Sequence, residues 1–352
     1  NGEAGMLRIS SMSLLLLVFG LALDAMGQEQ PTPFRYVRAK AFHIPPETTT
    51  EESGYFSLCE GADGKIYIGT AAYGRNAYLV EFDPKTEAMR VVLDTHKLVG
   101  LPLSATGYAA QSKLHTRNHV GLSGKIYVGS KQGYASAAEK KLLEAGQQIP
   151  EYLGGYVMSY DPKTQTSENL GMPMPLTAQQ RAKGKTEGQG VIDVTSDESR
   201  GILYVITCED QHWMLFDIKS RTYRDLGVVL RDQPNTIIDA RGRGTAITSD
   251  YQIARYDPKS DSVSVSPLLV GGRKFSDYVG ADRVHPDWRM AADGKTAYLQ
   301  LLNDLRMFKI DLSSDATVAV QAIDLGNRIE GANPDSRGSI SIGPNGQVYS
   351  VV

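Results

Sequence analysis

Hydrophobic positions along this chain come in short runs. Ile66-Tyr67-Ile68, Ile126-Tyr127-Val128, Ile202-Leu203-Tyr204-Val205 and Val348-Tyr349 are each only a few residues long. They are rich in β-branched and aromatic residues, and turn residues bound them. That is the signature of strands, and no long 3.6-residue periodicity alternates with them, which excludes a helical or Rossmann-type fold. The runs repeat. Each follows a glycine turn: Asp63-Gly64-Lys65, Ser123-Gly124-Lys125, Arg200-Gly201, Asp293-Gly294-Lys295 and Asn345-Gly346-Gln347. Glycine supplies the left-handed residue that a two-residue hairpin turn requires. A second recurring element is a strand that ends in Asp-Pro-Lys, at Asp83, Asp161 and Asp257, with looser copies at Asp217 and Asp311. Proline cannot donate in a ladder, so it closes the strand and opens a turn.

The shortest interval between these aspartates, Asp217 to Asp257, is about 40 residues, the length of one four-stranded propeller blade. Strand, Gly turn, strand, connection, strand, Asp-Pro turn, strand is the meander of such a blade. The expected architecture is an all-β propeller of six or seven four-stranded blades. Five are complete, at about residues 54–94, 112–171, 189–228, 232–267 and 285–325. A sixth begins at Ser339-Ile340-Ser341-Ile342 and is incomplete in this chain. A strand over 34–44 is expected to complete the last blade. Strand phase puts the uniformly short Gly and Asp-Pro turns on one face. The long insertions 70–76, 94–111, 130–155, 171–188 and 268–284 fall on the other, where binding and catalysis are expected. Ser136 and Thr177 open capping boxes, so two insertions should hold short helices. Residues 130–155, 171–188 and 268–284 should converge on one mouth of the channel.

Residues 1–27 carry Arg8, the apolar run Leu14 to Leu23 and the small-residue site Ala25-Met26-Gly27. This is the order of a secretory signal, and the run is shorter than a membrane span. The folded domain is expected over 28–352, truncated at its C-terminal end, in a protein that is secreted or periplasmic, monomeric and not stably inserted in a membrane. A net charge of −3 excludes a globally basic nucleic-acid binder, and two cysteines exclude a disulfide scaffold. There is no His-Glu-x-x-His, no Cys-x-x-Cys and no complete phosphate-binding loop. The cofactor is therefore open: a divalent metal is compatible, but no motif indicates one and no metal ligands are assigned.

First strands line the axis of a propeller, and polar residues in alternation are costly there unless paired or solvated. Lys113, His115 and Arg117 share one face of the first strand of blade 2 by period two. His285, Asp287 and Arg289 do so in blade 5, across the axis. The bland reading is inter-blade hydrogen bonds and ion pairs. The functional reading is a channel-mouth site with His212, Lys131, Tyr134 and Tyr278 on neighbouring loops. A His, Tyr and Arg surface suits an anionic or hydroxyl-rich ligand.

These repeats resemble secreted bacterial propellers of the ulvan- and oligogalacturonate-lyase type. The points of likeness are Lys113-x-His115, Gly190-Val191-Ile192-Asp193-Val194 and Gln211-His212-Trp213. The resemblance implies a carbon–oxygen lyase acting on a uronate polysaccharide by β-elimination. His115 and His212 would then transfer protons and Arg117 or Arg289 would neutralise the carboxylate. Lys113, Lys131, Tyr134, His285, Arg289 and Tyr278 would bind substrate. Ser130-Lys131 stands where a second histidine belongs in that pattern. The alternatives are a non-catalytic propeller that binds a glycan or a protein, and a gluconolactonase-like metal enzyme. The last is disfavoured, because Asp193 and Asp287 are the few acids on first strands.

Overall fold

The computed structural model describes residues 39–49, 57–102, 105–133, 135–232, 235–280, 285–302, 304–315, 318–328 and 340–350. The chain divides into two compact units, residues 1–43 and 44–352. In the first, the Lys40 ammonium lies 5.1 Å from the centre of the Phe42 ring. The signal segment expected over 1–27 lies outside the described residues, as does most of the strand expected over 34–44. Residues 39–45 have no regular secondary structure.

The second unit is a β-propeller. Blade 1 holds β1 (Leu58–Glu60), β2 (Ile66–Gly69), β3 (Tyr78–Asp83) and β4 (Ala88–Asp94). Blade 2 has a first strand in two pieces, β5 (Lys113–Leu114) and β6 (His119–Val120), then β7 (Ile126–Lys131), β8 (Val157–Asp161) and β9 (Thr166–Gly171). Blade 3 comprises β10 (Gly190–Asp197), β11 (Ile202–Cys208), β12 (His212–Asp217) and β13 (Thr222–Val229). Blade 4 comprises β14 (Ile237–Ile238), β15 (Gly244–Ile247), β16 (Gln252–Asp257) and β17 (Ser262–Val270), with the short β18 (Arg273–Lys274) paired to β17. Blade 5 comprises β19 (Pro286–Met290), β20 (Thr296–Leu301), β21 (Arg306–Asp311) and β22 (Val320–Asn327). A two-stranded sheet, β23 (Ile340–Ile342) with β24 (Val348–Ser350), follows. Within each blade, sequential strands pair antiparallel.

Strand parity sends alternate side chains to opposite neighbours. In β7, Ile126 and Val128 pack with Tyr67 and Leu79 of blade 1. Tyr127, between them, packs with Val191 and Leu203 of blade 3. Ile202, Tyr204 and Ile206 meet Ala246, Ala254 and Tyr256 of blade 4. Ile247 and Ile253 meet Trp288 and Leu299 of blade 5. The core is thus a series of inter-blade seams.

The turns repeat at atomic level. Each Asp of the second element accepts a hydrogen bond from the amide two or three residues on: Lys85 and Lys163 at 2.8 and 2.9 Å, Lys259 and Ser313 at 2.9 Å, Ser220 at 2.6 Å. These are Asx turns, which explains why the Asp recurs more faithfully than the Pro. The residue four positions after the Asp is left-handed at Glu87, Gln165, Arg221 and Asp261. The glycine turns are wider than the two-residue hairpin expected. The amide of Gly61 bonds the Lys65 carbonyl, and Gly64, at φ 75°, is the third residue of the loop. That is the three-residue turn that ends in a left-handed residue.

Consecutive glycine turns touch, so the smooth face is a continuous girdle. A Cβ on Gly124 would lie 3.7 Å from Ala62. The Ser123 amide donates to Glu198 at 2.6 Å, and the Ala240 amide donates to Gly294 O at 2.7 Å. On the opposite face, both expected capping boxes form. Ser136 and Glu139 cap α2 (Ala137–Glu144), and Thr177 and Gln180 cap α3 (Ala178–Ala182); a further helix, α1 (Thr95–Val99), follows β4.

Gly201→Ala tests the turn chemistry. Gly201 is at φ +71°, and a Cβ added there would meet nothing within 4 Å, so any cost is backbone strain alone. Chemical denaturation is expected to read a loss of about 1–2 kcal/mol. Gln165→Gly, at a left-handed position, is expected to gain about 0.5–1 kcal/mol. An unchanged stability in both variants would contradict the assigned backbone.

Candidate functional site

The first strand of blade 2 is broken because Lys113 and Leu114 pair with Lys131 and Ser130, whereas His119 and Val120 pair with Tyr127 and Ile126. Residues 115–118 bow between these two short ladders. The His115 amide still bonds Gly129 O at 2.9 Å, and the Thr116 hydroxyl accepts from the Gly129 amide at 2.9 Å. Lys113 and Lys131 therefore stand opposite each other at the long-loop end, with His115 and Arg117 deeper in the channel.

Lys113 is buried. Its ammonium lies 4.0 Å from the centre of the Tyr73 ring and donates to the Tyr73 hydroxyl at 2.5 Å. Lys131 pairs with Glu209 at 2.7 Å and contacts Cys208 Sγ at 2.9 Å. Burial opposes its charge, but Cys208 and Glu209 outweigh burial and raise its pKa. His115 is buried beside them. Burial, with Lys131, Lys113 and Arg117 as cationic neighbours, pulls its pKa down to about 3. The imidazole is neutral at physiological pH.

Arg117 crosses the channel. Its Nη2 lies 3.4 Å from Asp287 of blade 5, and its Nη1 lies 3.9 Å from Asp193 of blade 3. Asp287 also holds Arg289 Nη1 at 2.6 Å. Burial raises the Asp193 carboxyl to about 6, against the pull of Arg117, the Thr236 amide and the Thr195 hydroxyl. Two arginines and two carboxylates thus brace three blades across the axis, as the face-to-face placement of blades 2 and 5 requires.

A cavity of about 870 Å³ adjoins this brace. First strands line it all round: Leu58, His119, Thr195, Ile238, Met290 and Ser341. Each of these lies within a few residues of a short turn, so the cavity occupies the half of the channel nearer the smooth face. Strand phase alone points instead to the elaborated mouth. Arg117, Asn118, Asp193, Asn235 and Arg289 line the inner end of the cavity. Among the described residues, the hydrogen bonds of Arg289 run through Nη1, to Asp287 and to Trp288 O. Its Nε and Nη2 edge remains available. Asn118 gives its amide nitrogen to Tyr67 O at 3.2 Å, and its Oδ1 is buried without a partner among the described residues. His119 bonds Ser196, and burial lowers its pKa to about 4.

Several expected site residues are elsewhere. His212 Nδ1 bonds Asp225 of the outermost strand of blade 3 at 2.8 Å, so it faces the blade edge and does not line the cavity. Third strands lie too far from the axis for a side chain to turn back. His285 precedes β19 in left-handed backbone, φ 57°, so period two does not carry over to it. Its Nδ1 lies 3.3 Å from Asp232. Tyr278 sits on α4 (Phe275–Val279) and donates to Asp324 of β22 at 2.8 Å. Its segment leaves the mouth for the rim, where Leu268–Val270 pairs in parallel with residues 320–322. Tyr134 lies outside the described residues. Insertions 130–155 and 171–188 do converge: Tyr152 N bonds Thr186 O at 3.0 Å and Gly188 N bonds Tyr152 O at 2.7 Å. Insertion 94–111 joins them through the Tyr108 hydroxyl on Glu187.

Among the described residues no group of three or more His, Cys, Asp or Glu is placed to hold a metal ion, and no helix is long and apolar enough to cross a membrane. Asn118, His119 and Asn235 are cavity residues that sequence reasoning misses. His119 shares the parity of His115, and that signal would have found it. Asn118 has the opposite parity and enters only because the strand is broken.

No family model matches the chain, and no curated protein does. Solved structures similar to it include the β-propeller domain of Cps50 (Swd1) from Myceliophteria thermophila, 10% identical, over 84% of this chain and 78% of that one, TM-score 0.48. The periplasmic gluconolactonase PpgL of Pseudomonas aeruginosa is 12% identical over 80% and 73%, TM-score 0.45. The allergen Mala s 1 of Malassezia sympodialis is 12% identical over 77% and 78%, TM-score 0.46. None of the three is a lyase. Likeness at this level concerns the fold.

Arg117→Met leaves Asp193 and Asp287 short of a buried counter-charge and is expected to cost about 3 kcal/mol in denaturant unfolding. Unchanged stability would remove its bracing role. His115 provides a pH test. The unfolded ring takes up a proton near 6.5, and the folded one near 3. Its contribution to stability is therefore lost as pH falls through that window, at up to about 1.4 kcal/mol per pH unit. His119 acts in the same direction down to about 4. Asp193 opposes both between 3.8 and about 6, because its folded carboxyl keeps a proton that the unfolded one releases. His115→Gln should flatten the acid limb by one proton, and a limb as steep as the wild type's would refute the burial of a neutral His115.

Proposed function

We propose that the protein is a non-catalytic binding propeller that takes the acidic end of a uronate-bearing glycan into its axial channel. The observation that carries this reading is the cationic column on the inner edge of blade 2. Lys113 and Lys131 stand at the long-loop end, His115 lies beneath them, and Arg117 faces Arg289 at the head of the cavity. Arginine edges and amide side chains suit a carboxylate flanked by hydroxyls. About 870 Å³ is room for one or two sugar units and not for a folded partner. Binding is favoured over β-elimination because His115 and His212 do not meet, and a ring held neutral down to about pH 3 is a poor base near neutrality. The leader-like order of residues expected over 1–27 would suit action outside the cytoplasm.

Titration calorimetry with oligogalacturonate against a neutral galactose oligomer tests this. The acidic oligomer is expected to bind and to weaken as salt is raised. Affinity should also rise as pH falls through about 6, where Asp193 takes up a proton and the channel loses a negative charge. Arg289→Met, in the cavity lining, should weaken binding at least about tenfold, while Arg273→Met on the rim should leave it unchanged. Equal binding of the neutral oligomer, or none of either, would overturn the reading. Growth of ultraviolet absorbance from an unsaturated product would return the lyase in its place.

A further inference from the structure

Arg255 lies on β16, in the seam between blades 4 and 5, and is 1% exposed. Its cross-strand partner is Thr245 of β15. Directly opposed residues of an antiparallel pair share a face, and this face also carries Ile247 and Ile253, which pack on blade 5. The guanidinium uses Nη1 on the Ser266 hydroxyl at 3.3 Å. Among the described residues, its Nε and Nη2 are buried without a hydrogen-bond partner, and so is the Thr245 hydroxyl, which is 0% exposed.

The charges in this seam do not balance. Arg243, 5% exposed, is committed to Asp239 through Nε and Nη2, both at 2.7 Å. Asp315 is exposed and engages Arg241 at the surface. No carboxylate among the described residues lies within ion-pair distance of Arg255. Two buried guanidinium groups therefore face one buried carboxylate. Burial and the neighbouring Arg243 lower the Arg255 pKa only to about 10, so the group remains protonated at neutral pH. A buried cation without a counter-charge is strongly disfavoured. Water would satisfy the donors and leave the charge.

We infer that a single monovalent anion of halide size sits in the seam between blades 4 and 5, held by Nε and Nη2 of Arg255 and the hydroxyl of Thr245. A halide suits these donors: it is a non-directional acceptor, and the three unpartnered donors belong to directly opposed residues of two adjacent strands. The seam around them is walled by the buried Ile247, Ile253 and Trp288, which favours a small anion over a larger oxyanion. The anion is structural. It neutralises the seam and locks blade 4 to blade 5, remote from the axial cavity, so it stands or falls independently of glycan binding.

The test uses bromide and chloride on the wild-type protein. Crystals grown in bromide are expected to show an anomalous peak in contact with Arg255 Nε and Nη2 and Thr245 Oγ1. Thermal unfolding at constant ionic strength should fall by about 3–5 °C when chloride is replaced by gluconate. Arg255→Met should lose that dependence. Thr245→Val, which removes one donor and keeps the charge, should weaken it and serves if the first variant does not fold. A water-level peak with no anomalous signal, or a wild-type midpoint equal in chloride and gluconate, overturns the inference.

Discussion

Blades 2, 3 and 4 are apolar on both of their faces, and that constraint organises the molecule. A four-stranded sheet of this kind cannot stand in water. Period two sends Ile126 and Val128 one way and Tyr127 the other, so each blade must be sandwiched between two neighbours. Sheet after sheet is forced around an axis. The polar first-strand residues are then enclosed together, and the ions found there follow from that enclosure. Arg117, Asp193, Asp287 and Arg289 neutralise one another where the first strands bring them together at the inner end of the cavity.

The fold was legible because the signals that define it are local. The glycines and Asp-Pro-Lys turns mark the ends of strands whatever surrounds them. The Asx hydrogen bonds at Asp83, Asp161, Asp217, Asp257 and Asp311 are made within three residues of the aspartate. Capping boxes at Ser136 and Thr177 are equally local, and both form. The turn length was misjudged by one residue, because an Asp-Gly pair opens a two-residue and a three-residue loop alike. The path of residues 268–280 was missed for a different reason. Its destination is set by pairing with residues 320–322, about fifty positions along the chain, and nothing local announces that.

The site was legible only where strand parity held. Asp287 and Arg289 lie within β19 and share the channel, as alternation requires. Alternation fails one residue earlier, at His285, because its backbone is left-handed. In blade 2, parity carries from Lys113 to Arg117 and then the strand bows, which admits Asn118 to the cavity. His212 illustrates a further limit. Its side-chain direction depends on the outer strand, where Asp225 supplies its partner, and no local signal in the sequence gives that.

The same arrangement is what favours the proposed binding over chemistry. A general base must accept a proton near neutral pH, so its surroundings have to stabilise the cation that forms. His115 has the opposite surroundings: burial first, then Lys131, Lys113 and Arg117. The positive potential that attracts an anionic ligand to this wall is the potential that forbids a proton on the imidazole. A carboxylate arriving there would relieve part of that potential, yet it would act on the lysines and arginines as well as on the ring. The field at His115 would move towards neutrality without favouring the ring over its neighbours. A nearby acid dedicated to the imidazole would be needed to make it a base. The carboxylates within the channel, Asp193 and Asp287, are spent on Arg117 and Arg289, away from that task. On the proposed reading blade 2 holds negative charge, and the burial and cationic neighbours of His115 oppose proton abstraction by that histidine.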